Sequence, residues 1–116
     1  ATRSITRAEI VKRNPTSAWH MLSNISSIKV EDVGGIVRAL PTRVQQTSLL
    51  NPNKACFMRV GVDGIVWPDA APTLADLPPA DAIHGIEVFA GPASIPLRYG
   101  GTGTDKWCGL IMVWTR

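Results

Sequence analysis

The pair Asp63-Gly64 constrains this chain more than any other feature. It separates Phe57-Met58-Arg59-Val60-Gly61-Val62 from Ile65-Val66-Trp67, two runs rich in β-branched and aromatic residues. A two-residue connection that matches the right-handed twist of its strands needs positive φ at both central positions, and Asp-Gly supplies that at little steric cost. A β-hairpin at 57–67 is therefore predicted. With 116 residues in all, the chain has room for one domain, residues 1–116, built around that hairpin.

The N-terminal segment follows helical rules. Thr6-Arg7-Ala8-Glu9 has the form of a capping box, with Ile5 and Ile10 placed to act as a hydrophobic staple. The helix predicted over Arg7–Arg13 must end near Asn14-Pro15, because the residue before proline is pushed out of the helical region. A second helix restarts at Thr16 or Ser17, with Ala18, Met21 and Leu22 on its inner face, helped by Trp19 or Ile25.

Beyond it, Ile28-Lys29-Val30 and Ile36-Val37-Arg38-Ala39-Leu40 read as short strands around a Gly34-Gly35 turn. Residues 42–54 are polar and read as a loop. Leu74–Ala82 reads as a helical turn begun or interrupted by Pro78-Pro79. Ile83–Phe89 and Leu110–Thr115 read as strands, with a glycine-rich loop at Gly100–Thr104. The expected fold class is α+β: a small mixed β-sheet with two short N-terminal helices.

Charge and hydropathy remove several function classes. Residues 1–60 carry nine Lys/Arg against three Asp/Glu, whereas residues 61–116 carry three against six. The basic residues are scattered and not interleaved with aromatics, unlike a single-strand nucleic-acid platform, so no nucleic-acid partner is expected. The run Leu110–Trp114 is far shorter than the ~20 residues of a membrane helix, so no membrane span is expected in this segment. No leader pattern opens it either.

Candidate chemistry is sparse. Gly100–Gly103 lacks the Lys-Ser/Thr pair and following helix of a P-loop. His20 and His84 have no ligand partner at helical spacing, so no metal or other cofactor is expected. Asp63 is accounted for by its turn, and Glu87, alternating with Ile86 and Val88, is expected to face water or a basic partner. No catalytic residue is identified, and no enzymatic activity is expected.

Two constellations remain. Trp67, Tyr99 and Trp107 lie in or beside expected loops, with Trp19 and Trp114 assigned to the core. The loop aromatics are either an interface or carbohydrate platform, or covers for the edges of a small sheet. Cys56 and Cys108 each open a strand-like run. They are either one disulfide, which requires those runs to be sheet neighbours and implies an oxidising compartment, or two buried thiols.

From Leu74 to Arg116 the sequence resembles the plug domain of TonB-dependent outer-membrane receptors. The resemblance rests on Ile83-His84-Gly85-Ile86-Glu87-Val88-Phe89-Ala90-Gly91-Pro92-Ala93-Ser94, then Tyr99-Gly100, then Cys108-Gly109-Leu110-Ile111-Met112-Val113-Trp114-Thr115-Arg116. Upstream, Val60–Ile65 is similar to the family's Asp-Gly hairpin, and Ile5–Leu22 to its opening helix pair. The chain departs from the pattern at Ser26-Ser27, where plugs carry Pro-Gly, at Arg38-Ala39 in place of Arg-Gly, and by the insertion Ile95-Pro96-Leu97-Arg98. The cysteine pair is also not general to plugs. These departures fit a divergent branch, of the kind fused to a carboxypeptidase-regulatory-like domain.

The resemblance implies a periplasmic or outer-membrane location in a Gram-negative-type bacterium. It implies a gating role inside a β-barrel that would begin beyond Arg116, and contact with a small nutrient or glycan. The residues expected to touch a ligand or partner are Trp67, Arg98, Tyr99 and Trp107. The alternative is a free-standing periplasmic module that uses the same fold to bind a glycan or a partner protein.

Overall fold

Asp63 and Gly64 adopt φ of 53° and 89°, so the Asp-Gly turn forms as its residue types require. It joins β4 (Arg59–Val62) to β5 (Ile65–Val66). The structure, a computed structural model, describes residues 3–14, 17–23, 25, 28–41, 57–68, 73–89, 95–100 and 108–116. The expected loop at 42–54 lies outside them, as do Cys56, Trp107 and all of the glycine-rich loop but Gly100.

The N-terminal helices form where expected. Thr6 caps α1 (Arg7–Arg13), its side chain accepting from the Glu9 N–H at 3.3 Å. The other half of the expected box is not made: Glu9 pairs with Arg3 at 3.1 Å. Asn14 ends the helix in the left-handed region, φ 46°, and donates its N–H to the Ile10 carbonyl at 2.9 Å. Helix α2 (Ala18–Leu22) begins after Ser17, whose hydroxyl lies 2.7 Å from His20 Nδ1 and makes no cap bond. His20 is half-buried, stacked on Trp19 with ring centroids 4.0 Å apart.

The fold is α+β, with two sheets. A five-stranded mixed sheet has the order β1 (Arg3–Ile5), β6 (Gly85–Phe89), β7 (Leu110–Trp114), β4, β5. Strands β4 and β7 run parallel with Arg59 opposite Leu110, while the other pairs are antiparallel. Strands β2 (Ile28–Val33) and β3 (Ile36–Pro41) form a separate antiparallel ribbon around Gly34-Gly35. Strand β1 has no counterpart in the sequence reading. Ile5 enters the core as a strand residue paired with Ile86.

Alternation divides the large sheet into two faces. Val60, Ile86, Val88, Ile111 and Val113 share one core with Ile10, Met21, Leu22, Ile25, Leu74 and Ile83. The ribbon adds Ile28, Val37 and Ala39 to that core. It is tied in through β3, where Met58 N donates to the Ala39 carbonyl (2.8 Å) and Val37 N to the Thr73 hydroxyl (3.1 Å). On the other face, Phe89, Ile95, Leu110 and Met112 form a smaller cluster covered by Val66, Tyr99 and Trp114. The segment Leu74–Ala82 resolves into two 3-10 turns, Leu74–Asp76 and Ala80–Ala82.

Candidate functional site

Among the described residues, the second sheet face gathers Glu87, Tyr99 and Trp114. Buried Ile95 anchors the short helix α3 (Leu97–Gly100), and the Tyr99 N–H closes its turn on the Pro96 carbonyl at 3.0 Å. Tyr99 was expected in or beside a loop; it rides with Arg98 on this helical turn, which Ile95 seats against the sheet. The Tyr99 ring lies 6.0 Å from that of Phe89, tilted by 57°. On Tyr99 also sits the Arg98 guanidinium, 4.7 Å from the ring centroid. A hydrogen bond to the Tyr99 side chain, aided by charge interaction with Tyr99 and more weakly with Glu87, holds Arg98 further toward its charged form.

Glu87 faces away from Ile86 and Val88, as its alternation with them requires. Its half-buried carboxylate accepts from Trp114 Nε1 at 2.7 Å, a partner the sequence did not indicate, and its charge also acts on Arg98. In the β6–β7 register Glu87 opposes Met112, which places Trp114 diagonally across on the same face, within reach of its long side chain. Trp114 is therefore a half-buried cover for this face and not a core residue. Trp19 likewise is partly buried against the main core.

At the end of the same strand, Asp63 accepts from the Thr115 N–H at 2.8 Å and from the Thr115 hydroxyl at 2.7 Å. Those two bonds, the backbone one first, hold the Asp63 carboxyl below its ordinary pKa, and Arg116 adds to the effect against a small opposing contribution from burial. So Asp63 does more than shape its turn: it also fastens the end of β7.

The expected contact residues are not all brought together. Arg98 and Tyr99 touch each other, and Tyr99 and Trp114 cover the same cluster. Trp67 packs against the main core, its N–H donating to the Val60 carbonyl and its carbonyl accepting from Arg59 Nη2 at 3.0 Å. Trp107 is outside the described residues. Cys108 is buried, and its expected partner Cys56 is outside the described residues. Tyr99 packs on Arg98 and Phe89, and Trp67 on the core, and both rings are half-buried.

Sequence reasoning missed a cleft of about 480 Å³ between α1 and the second 3-10 turn, lined by Arg7, Val11, Asn14, Pro79 and Asp81 among others. Arg7 spans its floor, donating through Nη1 to the carbonyls of Ala80 (3.2 Å) and Ile83 (2.6 Å). The Glu87–Trp114 pair had a legible signal in strand parity, but this cleft had none. It joins segments more than 70 residues apart.

Among the described residues no group of three or more His, Cys, Asp or Glu is placed to hold a metal ion. No helix among them is long and apolar enough to cross a membrane. No protein-family model matches the chain, and no curated protein does.

Proposed function

We propose that this chain is a plug-like domain of an exported protein of a Gram-negative-type envelope, acting without enzymatic chemistry. In this reading it occludes an outer-membrane β-barrel and contacts a nutrient ligand through residues among Trp67, Arg98, Tyr99 and Trp107. One observation supports it above the others. The segments that resemble the receptor plug, Ile83–Phe89 and Cys108–Arg116, contain adjacent strands β6 and β7, and the Asp-Gly hairpin lies next to β7. The resemblance thus describes one continuous piece of sheet and not scattered matches.

A disulfide between Cys56 and Cys108 belongs to the same proposal. The parallel β4–β7 register, continued past the strand ends, brings position 57 opposite Cys108, one residue from Cys56. Such a bridge persists in the periplasm and is reduced in most cytosols.

The test is conductance of the full-length gene product in planar bilayers, with and without residues 1–116. A large, steady pore that appears only on deletion supports the plug reading. Equal conductance in both forms, or no pore in either, refutes it.

A second reading is favoured by a separate observation: the outer edge of β2 is six residues long and pairs with no other strand among the described residues. An open strand edge is a site for strand addition, which fits a free-standing periplasmic module that binds a partner protein. Fractionation tests it. Release of the intact gene product with the periplasmic contents supports this reading, and retention in the outer membrane refutes it.

A further inference from the structure

We infer that β2 is a self-pairing edge, through which two copies of this chain join their ribbons into one four-stranded antiparallel sheet. This rests on the reading of the chain as a free-standing interaction module and names its partner as a second copy.

Hydrogen-bond parity shows which groups β2 offers. The two-residue Gly34-Gly35 turn makes Val33 and Ile36 the closing hydrogen-bonded pair, so bonded pairs recur at Glu31–Arg38 and Lys29–Leu40. Ile28, Val30 and Asp32 therefore turn their backbone groups away from β3. The same parity on β3 is visible directly, since Val37 N and the Ala39 carbonyl bond outward to Thr73 and Met58. On β2, Ile28 N is taken by the Ile25 carbonyl, while the Val30 N–H and C=O have no partner among the described residues.

Charge then selects both the partner and the register. Lys29 and Glu31 share the solvent face of β2 and lie 3.6 Å apart, with side chains 59% and 39% exposed. Two β2 strands set antiparallel about a two-fold axis at Val30 exchange Val30 N–H···O=C bonds. That alignment sets each Lys29 opposite the second copy's Glu31. A shift of two residues in one direction sets Lys29 against Lys29, and in the other Glu31 against Glu31. Opposite charges across a strand pair stabilise it and like charges destabilise it, so one register is favoured and its neighbours are penalised. The same edge carries no proline in Ile28–Val33 that would block pairing.

Pairing about a two-fold axis is the commonest closed symmetry and leaves no further copy to recruit at β2.

The experiment is sedimentation velocity of the oxidised chain from about 1 μM to about 1 mM, the range in which a small interface is populated. The wild type is expected to move from monomer to dimer. By symmetry, Lys29→Glu or Glu31→Lys each converts both cross-strand pairs to repulsion, and each is expected to weaken dimerisation roughly tenfold. The double variant Lys29→Glu/Glu31→Lys restores the pairs and is expected to recover the wild-type constant. Lys29 is exposed, so Lys29→Glu is the decisive swap; Glu31 is half-buried opposite Arg38 in the β2–β3 register, and circular dichroism and the melting temperature check that all forms fold. A single monomeric species across the range, or a dimer indifferent to the single swaps, overturns the self-pairing. Monomer from a protein still found in the periplasm rejects the self-pairing alone, and outer-membrane retention rejects the reading beneath it.

Discussion

Replacing Gly61 with alanine sets two effects of known size against each other. Alanine restricts the unfolded chain, and at an unstrained position that stabilises a protein by about 0.4–1 kcal/mol. Gly61, in β4, is flanked by β5 and β7, and its side-chain direction is already filled. A Cβ built there lies 2.6 Å from Met112 Cε, 3.0 Å from Met112 Sδ and 2.9 Å from the Ile65 carbonyl oxygen. The methionine tip is flexible in principle, but its sulfur accepts from the Gly64 N–H at 3.3 Å and the side chain is fully buried. The carbonyl belongs to the hairpin backbone and yields only if the β4–β5 pairing shifts.

Overpacking of this kind costs about 1–3 kcal/mol, so the steric term wins and a net loss of about 1–2 kcal/mol is expected. For 116 residues at about 2.1 cal/mol/K each, the unfolding entropy is about 0.24 kcal/mol/K, so each kcal/mol lowers the melting temperature by about 4 °C. Calorimetry of Gly61→Ala should therefore show a melting temperature about 4–8 °C below wild type. Adding Met112→Leu removes the sulfur and terminal methyl and should recover part of the loss, a coupling of at least about 0.5 kcal/mol. A Gly61→Ala variant that melts at or above the wild-type temperature would refute the close-packing argument.

Three further outcomes are expected. Arg7→Met removes two guanidinium–carbonyl bonds between α1 and the second 3-10 turn; with allowance for partial exposure, urea unfolding should register a loss of about 1–2 kcal/mol. The Asp63 carboxyl has a lowered pKa in the folded state, so its contribution is complete above its ordinary value of 3.8 and is lost as pH falls through the lower folded value. Asp63→Asn should therefore melt below wild type at neutral pH, with the gap narrowing below pH 3.8, and a gap independent of pH would contradict the assignment. Intact mass should rise by two hydrogens on reduction if Cys56 and Cys108 are bridged, and Cys56→Ser should destabilise the chain by up to about 4 kcal/mol.

Legibility in the sequence followed the range of the forces involved. The Asp-Gly turn, the Thr6 cap and the end of α1 near Asn14 are each decided within about four residues, by φ preferences and by a side chain meeting a nearby N–H. Alternation in Ile86-Glu87-Val88 and the unbroken apolar run Leu110–Trp114 likewise predicted strands. The hydrogen bond between Glu87 and Trp114 was not foreseen because the two lie on different strands, and only the β6–β7 register makes them diagonal neighbours.

From its residues alone the chain was committed to an α+β domain, two short helices at its start and a hairpin at Asp63-Gly64. Tertiary structure decided the remainder. Arg3–Ile5 is a strand because β6 presents an edge, Leu97–Gly100 is a helical turn seated by Ile95, and β2–β3 form a separate ribbon whose β2 edge pairs with no other strand among the described residues. Positive φ and helix caps are local, carried by a residue and its near neighbours. Strand order, register and the bonding of a half-buried carboxylate depend on contacts between distant segments, which only the packed chain brings together.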